Sequence, residues 1–212
     1  MQFAILNSRS LADAAVALAQ RDKHLSQIFK NYGNPPLWRR PATFATLVRI
    51  ILEQQVSLRS ADAMYRRLNS SLGPLTPDAF LRAGETHLRE LGVTRQKTAY
   101  LLHLSSSIAA GELSLRRLSK MSDSEAKETL MRIKGIGAWS ADVYLLMAMR
   151  RADIWPSGDL ALAVAIKELK GLSQRPSDQE MERFAEGWRP HRAVAARMLW
   201  QYYLGRKSNK IE

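Results

Sequence analysis

Two glycines separated by one residue are the first feature of this sequence that could do chemistry. Gly135 and Gly137 lie in Lys134-Gly135-Ile136-Gly137-Ala138, between two segments whose apolar residues recur at helical spacing. Glycines allow a tight turn and leave no side chain over the backbone N–H groups that open the second helix. Those groups, the helix dipole and the neighbouring Lys134 favour a bound anion such as a phosphate. A bare Gly-x-Gly is also typical of simple helical turns, so the motif needs support from its surroundings.

A single acidic residue stands at the loop that follows the second of these helices. Asp159 lies in Trp155-Pro156-Ser157-Gly158-Asp159-Leu160, directly before another helical segment. An aspartate there serves as a helix N-cap, which would fix its rotamer. The same carboxylate at a helix start could stabilise a developing positive charge or help to deprotonate a water molecule. The two roles are compatible, and Asp159 is the candidate catalytic residue.

The composition indicates a polyanionic partner and excludes several kinds of site. The chain has 212 residues, of which 46% are apolar, and can bury a sizeable core. Its 32 Lys and Arg against 20 Asp and Glu give a formal charge of +12, as expected of a nucleic-acid-binding protein, although a basic cytosolic protein without such a partner would look the same. Because cysteine is absent, disulfides, thiolate zinc sites and iron–sulfur clusters are excluded, and the four histidines form no ligand-spaced pair. We expect no required cofactor.

Helical spacing runs through almost the whole chain, and no alternating run is long enough for a convincing strand. The segment from about Pro41 to Gln55 has the buried face of an amphipathic helix. Ser57, Thr76 and Ser122 have the form of helix N-caps. Further helices are predicted at residues 10–19 and 23–31, after Gly137, Asp159 and Ser177, and at about 190–204. The fold is therefore predicted to be all-α, and no apolar run approaches the ~20 residues of a membrane span.

Three segments together resemble the helix-hairpin-helix, Gly/Pro-rich-loop, aspartate (HhH-GPD) superfamily of DNA glycosylases, most closely its alkylbase branch (DNA-3-methyladenine glycosylase II). Residues 50–57, Ile-Ile-Leu-Glu-Gln-Gln-Val-Ser, resemble the loop that enters the duplex, residues 134–139 the hairpin, and residues 156–160 the loop with the catalytic aspartate. The resemblance covers roughly residues 35–205. The family has proline where this chain has Lys134. We expect a compact helical member without the N-terminal sheet domain of the larger alkylbase enzymes.

The resemblance implies a two-lobed helical glycosylase fold with a helix-hairpin-helix motif. The central lobe would span about residues 41–152, with the hairpin at 122–149. Residues 1–40 together with 153–212 would form the second lobe, and the active-site cleft would lie between the two.

The resemblance also implies a monofunctional glycosylase of base excision repair. It would hydrolyse the N-glycosidic bond of alkylated bases, of the 3-methyladenine or 7-methylguanine type, flipped out of double-stranded DNA, with Asp159 stabilising the oxocarbenium-like sugar. Relatives with lyase activity place a lysine nucleophile where this chain has Trp139, so no lyase activity is expected. Gln55 matches the residue that fills the gap in the duplex. DNA contacts are expected at Gln54, Gln55, Val56, Ser57, Lys134, Gly135, Ile136, Gly137 and Ala138.

Aromatic residues would hold a positively charged base through cation–π contacts. Trp139 and Trp200 match pocket tryptophans of the family, and Tyr144, Tyr202 and Trp38 are further candidates, although aromatic residues at helical spacing are also typical of a core. The resemblance further implies a monovalent cation, Na⁺ or K⁺, on hairpin backbone carbonyls. These carbonyls would be those of Met131, Ile133 and Ile136.

Two alternatives to this function remain open. A non-catalytic helix-hairpin-helix DNA-binding protein would use the hairpin only to hold phosphates. A glycosylase for another lesion, such as uracil or an oxidised purine, would share the same motifs. In each case we expect a soluble monomer without a membrane partner, cytoplasmic and nucleoid-associated, or nuclear if eukaryotic.

Overall fold

The computed structural model describes residues 4–208, with side chains as far as Arg206, and this part of the chain is helical. It contains no strand beyond a single bridge between Ile5 and Arg151, so the all-α prediction is confirmed. None of the helices described has the length and apolar character needed to cross a membrane. The helices are α1 (Ser8–Arg21), α2 (Lys23–Tyr32), α3 (Phe44–Glu53), α4 (Leu58–Leu72), α5 (Pro77–Glu90), α6 (Arg95–Ala109), α7 (Leu115–Leu118), α8 (Asp123–Met131), α9 (Ala138–Met147), α10 (Leu160–Lys170), α11 (Asp178–Glu186) and α12 (Arg192–Ser208).

Short polar residues begin these helices where the sequence predicts them. Ser57, Thr76 and Ser122 each accept a hydrogen bond from the backbone N–H three residues later. Glu125 completes a capping box before α8, since its carboxylate accepts from the N–H of Ser122 at 2.9 Å. The sequence did not predict α7, because four residues are too few to show a helical period.

The described chain divides into two units. One comprises the residues up to Arg39 and from Leu145 onward, and the other comprises Arg40–Tyr144. The sequence placed the two divisions near residues 40 and 152, so the second lies eight residues earlier than expected and falls within α9.

In the first unit, α12 contacts α1, α2 and α10. Residues 193–196, Ala-Val-Ala-Ala, are fully buried on this helix. Their small side chains let neighbouring helices approach closely, and larger residues such as Leu18, Leu162 and Met198 fill the core around them. These buried residues hold α12 in its unit, and the same helix carries Trp200 one turn further on.

In the second unit, α3 is a strongly apolar helix against which other helices pack. It contacts α4 and α6, and its buried apolar side chains include Leu47, Ile51 and Leu52. Burial of each such side chain contributes about 1.5–3 kcal/mol. This packing holds the C-terminal end of α3 in place, and the loop that follows begins there, at Gln54.

Candidate active site

The hairpin is a tight turn between α8 and α9, as predicted. Two backbone hydrogen bonds shape it, from the N–H of Ile133 to Leu130 O (3.1 Å) and from the N–H of Ile136 to Ile133 O (2.9 Å). Ile133 and Ile136 are buried and anchor the turn in its unit, whereas Lys134 is exposed. A ligand at this turn can therefore meet the charge of Lys134.

The two hairpin glycines are required for different reasons. Gly135 has φ +91°, and a Cβ atom built on it would lie 2.2 Å from Cγ of Tyr100, so both the backbone and the space demand glycine. Gly137 is exposed, and a Cβ atom there would have nothing within 4 Å. It lies directly before α9, where it leaves the amides of the helix start uncovered. Uncovered amides at the positive end of a helix dipole are suited to binding an anion.

A partly buried ion pair joins the two helices of the hairpin. Lys127 on α8 donates to Asp142 Oδ2 on α9 at 2.9 Å, and the Asp142 side chain is only 2% exposed. The sequence analysis did not identify this pair, because the two residues are fifteen positions apart. It stiffens the support on which the turn rests.

The loop between α3 and α4 holds the residues predicted to enter DNA. Gln55 is exposed and has φ +56°, and Val56 is 46% exposed. Ser57 is also exposed, and its hydroxyl caps α4 by accepting from the N–H of Ser60. Gln54 differs from these residues, because its side-chain amide donates within the protein to Gly135 O and Ser140 Oγ. The structure thus gives Gln54 an internal contact, and it leaves Gln55 and Val56 at the surface.

Asp159 is the N-cap of α10, as predicted. Its Oδ1 accepts hydrogen bonds from the N–H of Leu162 at 3.0 Å and from Nε1 of Trp200 at 3.2 Å. The residue is 8% exposed, and the preceding Gly158 turns the chain with φ +76°. The indole donor on α12 was not predicted from sequence. Two donors fix the orientation of the carboxylate, which is what electrostatic stabilisation of a reacting group requires.

Trp200, the indole donor to Asp159, packs against a second tryptophan, Trp38. The rings of Trp38 and Trp200 meet edge to face, with centroids 6.4 Å apart. Trp38 is half-buried and has φ +41°, a backbone conformation that a bulky residue adopts only when its surroundings hold it. Trp200, one of the two tryptophans matched to the family's pocket, therefore contacts the candidate catalytic carboxylate, and Trp38, a further candidate, packs on Trp200.

Arg197 supports the segment that carries Trp38. It is fully buried on α12, one turn before Trp200, and its guanidinium donates to the backbone carbonyls of Leu37 and Leu146. Burial lowers the pKa of Arg197 to about 10, so the side chain is still a cation at neutral pH. The sequence analysis missed this residue, because its spacing on α12 is that of a core position.

The remaining aromatic candidates have other surroundings. Tyr144 is fully buried in the core, and burial raises its pKa, so as placed here its ring offers no surface to a base. Tyr202 packs edge to face on Tyr32 with centroids 6.3 Å apart. Trp139 is half-buried on the first turn of α9, in the unit that holds the hairpin.

The carbonyl groups implied as cation ligands belong to the hairpin and to the end of α8. Ile133 O accepts the amide of Ile136, and a carbonyl oxygen has a second lone pair with which it can bind a cation. Neutral oxygen donors at Met131, Ile133 and Ile136 suit a monovalent hard cation. The donor set fits Na⁺ or K⁺, and the cation itself stays a prediction.

Known proteins share both sequence and fold with this chain. The alkylbase DNA glycosidase-like protein mag2 of Schizosaccharomyces pombe is 28% identical over 192 residues, which is 87% of this chain and 90% of that protein. The protein YfjP of Bacillus subtilis is 28% identical over 185 residues, which is 84% of this chain but only 64% of that protein. The chain therefore spans less than two thirds of one relative and most of the other.

Solved structures show the same architecture. The crystal structure of DNA-3-methyladenine glycosidase from Bacillus halodurans is 28% identical and superimposes with a TM-score of 0.77. The match covers 96% of this chain and 93% of that protein. The 3-methyladenine DNA glycosylase Mag1 of Schizosaccharomyces pombe was solved with abasic DNA. It is 24% identical with a TM-score of 0.81, and the match covers 89% of this chain and 95% of that protein, which shows the shared fold. Residues 48–190, more than half of the chain, match the family described as HhH-GPD superfamily base excision DNA repair protein. With the hairpin and the capping aspartate both in place, the chain belongs to the HhH-GPD superfamily.

Proposed function

We propose that this protein is a monofunctional DNA glycosylase that releases alkylated bases, of the 3-methyladenine or 7-methylguanine type, from double-stranded DNA. The observation that carries the proposal is the Asp159 carboxylate, held by the amide of Leu162 and the indole of Trp200 beside a second tryptophan, Trp38. The names of the mag2 relative and of the Bacillus halodurans structure support the same substrate class.

The chemistry needs one well-placed carboxylate. As the C1′–N bond breaks, its electron pair leaves with the base and positive charge develops on the sugar, where Asp159 stabilises it electrostatically. A water oxygen then bonds to C1′ and its proton passes to the carboxylate or to solvent. Because an alkylated purine is already cationic, it departs as a neutral base, and a separate general acid is not required.

Recognition of the base follows from its charge. A desolvated cation over a tryptophan ring gains up to about 2 kcal/mol. Trp200, which donates to Asp159, and Trp38, which packs edge to face on Trp200, are the rings proposed to contact the base. An aromatic pocket of this kind favours alkylated purines over neutral uracil.

Binding of the DNA backbone is assigned to the hairpin. The open amides after Gly137 and the charge of Lys134 would hold a phosphate, and Gln55 and Val56 would occupy the gap left by the extruded nucleotide. Na⁺ or K⁺ on the carbonyls of Met131, Ile133 and Ile136 would add positive charge beside that phosphate. Lyase activity is not proposed, because Trp139 has no amine with which to form a Schiff base.

The proposal is tested by replacing Asp159. For Asp159→Asn we expect single-turnover release of 3-methyladenine and 7-methylguanine from a methylated duplex to fall about 10²–10³-fold, with duplex affinity retained. The amide keeps the size and the capping oxygen of the aspartate but loses its charge. The same assay is run with duplexes that contain uracil or an oxidised purine, and faster release from one of these would identify a different lesion preference.

Asp22→Asn is a matched control. Asp22 also caps a helix and also accepts a hydrogen bond from an indole, that of Trp188, at 3.0 Å. We expect this variant to release bases at the wild-type rate. If the wild-type protein binds every duplex but releases no base, the non-catalytic DNA-binding alternative is correct.

A further inference from the structure

Gln54 joins the α3–α4 loop to the hairpin within one unit. Its Nε2 donates to Gly135 O at 2.8 Å and to Ser140 Oγ at 2.9 Å. One acceptor precedes the open position Gly137 and the other follows it. A single side chain therefore connects the residue before Gln55 to both sides of the anion site.

Lys97 holds the same residue through its backbone. From the first turn of α6, Nζ of Lys97 donates to Leu52 O at 2.7 Å and to Gln54 O at 2.9 Å. These carbonyls belong to the end of α3, where a helix leaves acceptors unsatisfied and where its dipole attracts a cation. Burial lowers the pKa of Lys97, and the ammonium binds these backbone carbonyls rather than standing in solvent. Gln54 is thus held at its main chain by Lys97 and at its side chain by the hairpin.

The loop that Gln54 begins is strained and short. Gln55 has φ +56°, which costs a non-glycine residue about 1 kcal/mol and persists only when the flanking residues hold it. On the other side, Ser57 is tied to the N–H of Ser60 as the cap of α4. Gln55 and Val56 therefore form a two-residue exposed tip between two anchored ends.

We propose that Gln54 and Lys97 are positioning residues that couple the hairpin to this tip. When the hairpin binds a backbone phosphate, the hydrogen bonds of Gln54 fix where Gln55 and Val56 enter the duplex. Binding of the strand and filling of the gap are then coupled. This inference rests on the proposed glycosylase function, because a gap arises only when a nucleotide is extruded. Loss of the Gln54 hydrogen bonds leaves the amides of the anion site intact, so it uncouples extrusion from binding.

The experiment separates extrusion from affinity. The probe is a duplex with 2′-fluoro-7-methylguanine, which resists cleavage, and 2-aminopurine on its 3′ side, whose fluorescence rises when the stack opens. Affinity for the same duplex is measured by fluorescence anisotropy. For Gln54→Met and Lys97→Met we expect the increase in fluorescence at saturating protein to be about 10-fold smaller than for the wild type, as for the loss of one or two hydrogen bonds. Affinity for the duplex should change less than about 3-fold.

A double-mutant cycle tests the coupling itself. The Gln54 side chain and Lys97 both fix the position of residue 54. The double variant Gln54→Met/Lys97→Met should therefore lose little more extrusion than either single variant. The proposal would be overturned if the fold-loss of extrusion in the double variant equalled the product of the losses in the two single variants. It would also be overturned if extrusion fell only in proportion to affinity. Ser140→Ala removes one acceptor of Gln54 and should cause a smaller loss of the same kind, which keeps the test available if a Met variant does not fold.

Two control variants exclude a general loss of stability or charge. Gln201→Met removes a matched side-chain amide that donates to Tyr32 O and Asn34 O in the other unit, and Lys30→Met removes an exposed positive charge. Both should extrude like the wild type, and an equal loss in either would overturn the proposal.

Failure of this inference and failure of the proposed function give different results. The fluorescence readout needs no bond cleavage, so Asp159→Asn should extrude normally while Gln54→Met does not. A wild-type protein that extrudes but releases no base refutes only the glycosylase. A wild-type protein that releases bases while Gln54→Met extrudes normally refutes only the coupling.

Discussion

Asp159 and Asp22 share one side-chain arrangement. Each caps a helix, and each accepts a hydrogen bond from a tryptophan indole on another segment, Trp200 for Asp159 and Trp188 for Asp22. Burial raises the pKa of Asp22, but hydrogen bonds from Trp188 and the amides of Leu25 and His24 outweigh it, so its pKa lies below the ordinary value. The stability that this cap contributes is present above the ordinary pKa and is lost as the pH falls through the lowered one. Asp22 is thus the structural counterpart of the residue proposed to be catalytic.

The pair of indoles gives a prediction about activity. Trp200→Phe keeps an aromatic ring but removes the N–H that orients the Asp159 carboxylate, so we expect base release to slow by about 10-fold, as for a lost hydrogen bond to a charged group. Single-turnover excision at saturating protein measures it. Trp188→Phe removes the corresponding donor from Asp22 and should leave the rate unchanged; equal slowing in both variants would show that only stability was affected.

At the level of elements, the hairpin depends on two glycines with opposite surroundings. The ring of Tyr100 closes the space beside Gly135, whereas the space beside Gly137 is open. The Lys127–Asp142 pair and the buried Ile133 and Ile136 hold the turn from behind. One glycine therefore serves the fold, and the other keeps the amides of α9 accessible.

Alanine substitutions should separate these two roles. Gly135→Ala should lower the free energy of unfolding by about 2–4 kcal/mol, because the residue must keep a positive φ and displace Tyr100. Gly137→Ala should change it by less than about 1 kcal/mol, as expected for a cap position, while reducing duplex affinity about 10-fold because the new Cβ covers the amides. Denaturant unfolding and anisotropy with an undamaged duplex measure the two effects, and a Gly137→Ala protein that binds normally would contradict the anion site.

For the whole molecule, the formal charge of +12 would supply a general attraction to the proposed DNA substrate. Not every cation contributes equally, since several are engaged internally. Arg197 and Lys97 bind backbone carbonyls, and Arg192 pairs with Asp153 at 2.9 Å. Lys134, exposed on the hairpin, is placed to neutralise a phosphate.

Salt dependence measures that contribution. For Lys134→Gln we expect weaker binding to every duplex sequence, and a slope of log K against log salt that is smaller in magnitude by about 1, because one fewer counterion is released. Lys30→Gln, which removes an exposed charge from the other unit, should leave the slope unchanged. A Lys134→Gln protein whose lesion preference changes while its salt slope does not would contradict the assignment.

The sequence by itself determined the helical architecture, the hairpin and the position of Asp159. Periodicity, capping residues and glycines are local signals, so Ser57, Thr76, Ser122 and Asp159 could be identified as helix starts from their neighbours alone. The resemblance across three such segments then indicated the family.

Only the tertiary structure decided which side chains support those positions. Trp200 reaches Asp159 across 41 residues, and Gln54 reaches Gly135 across 81. It also placed Tyr144 in the core and turned Gln54 inward, where the sequence had grouped them with ligand-contacting residues. The physical reason is that such contacts depend on how whole helices pack, and packing depends on every buried side chain at once, so no local spacing encodes it.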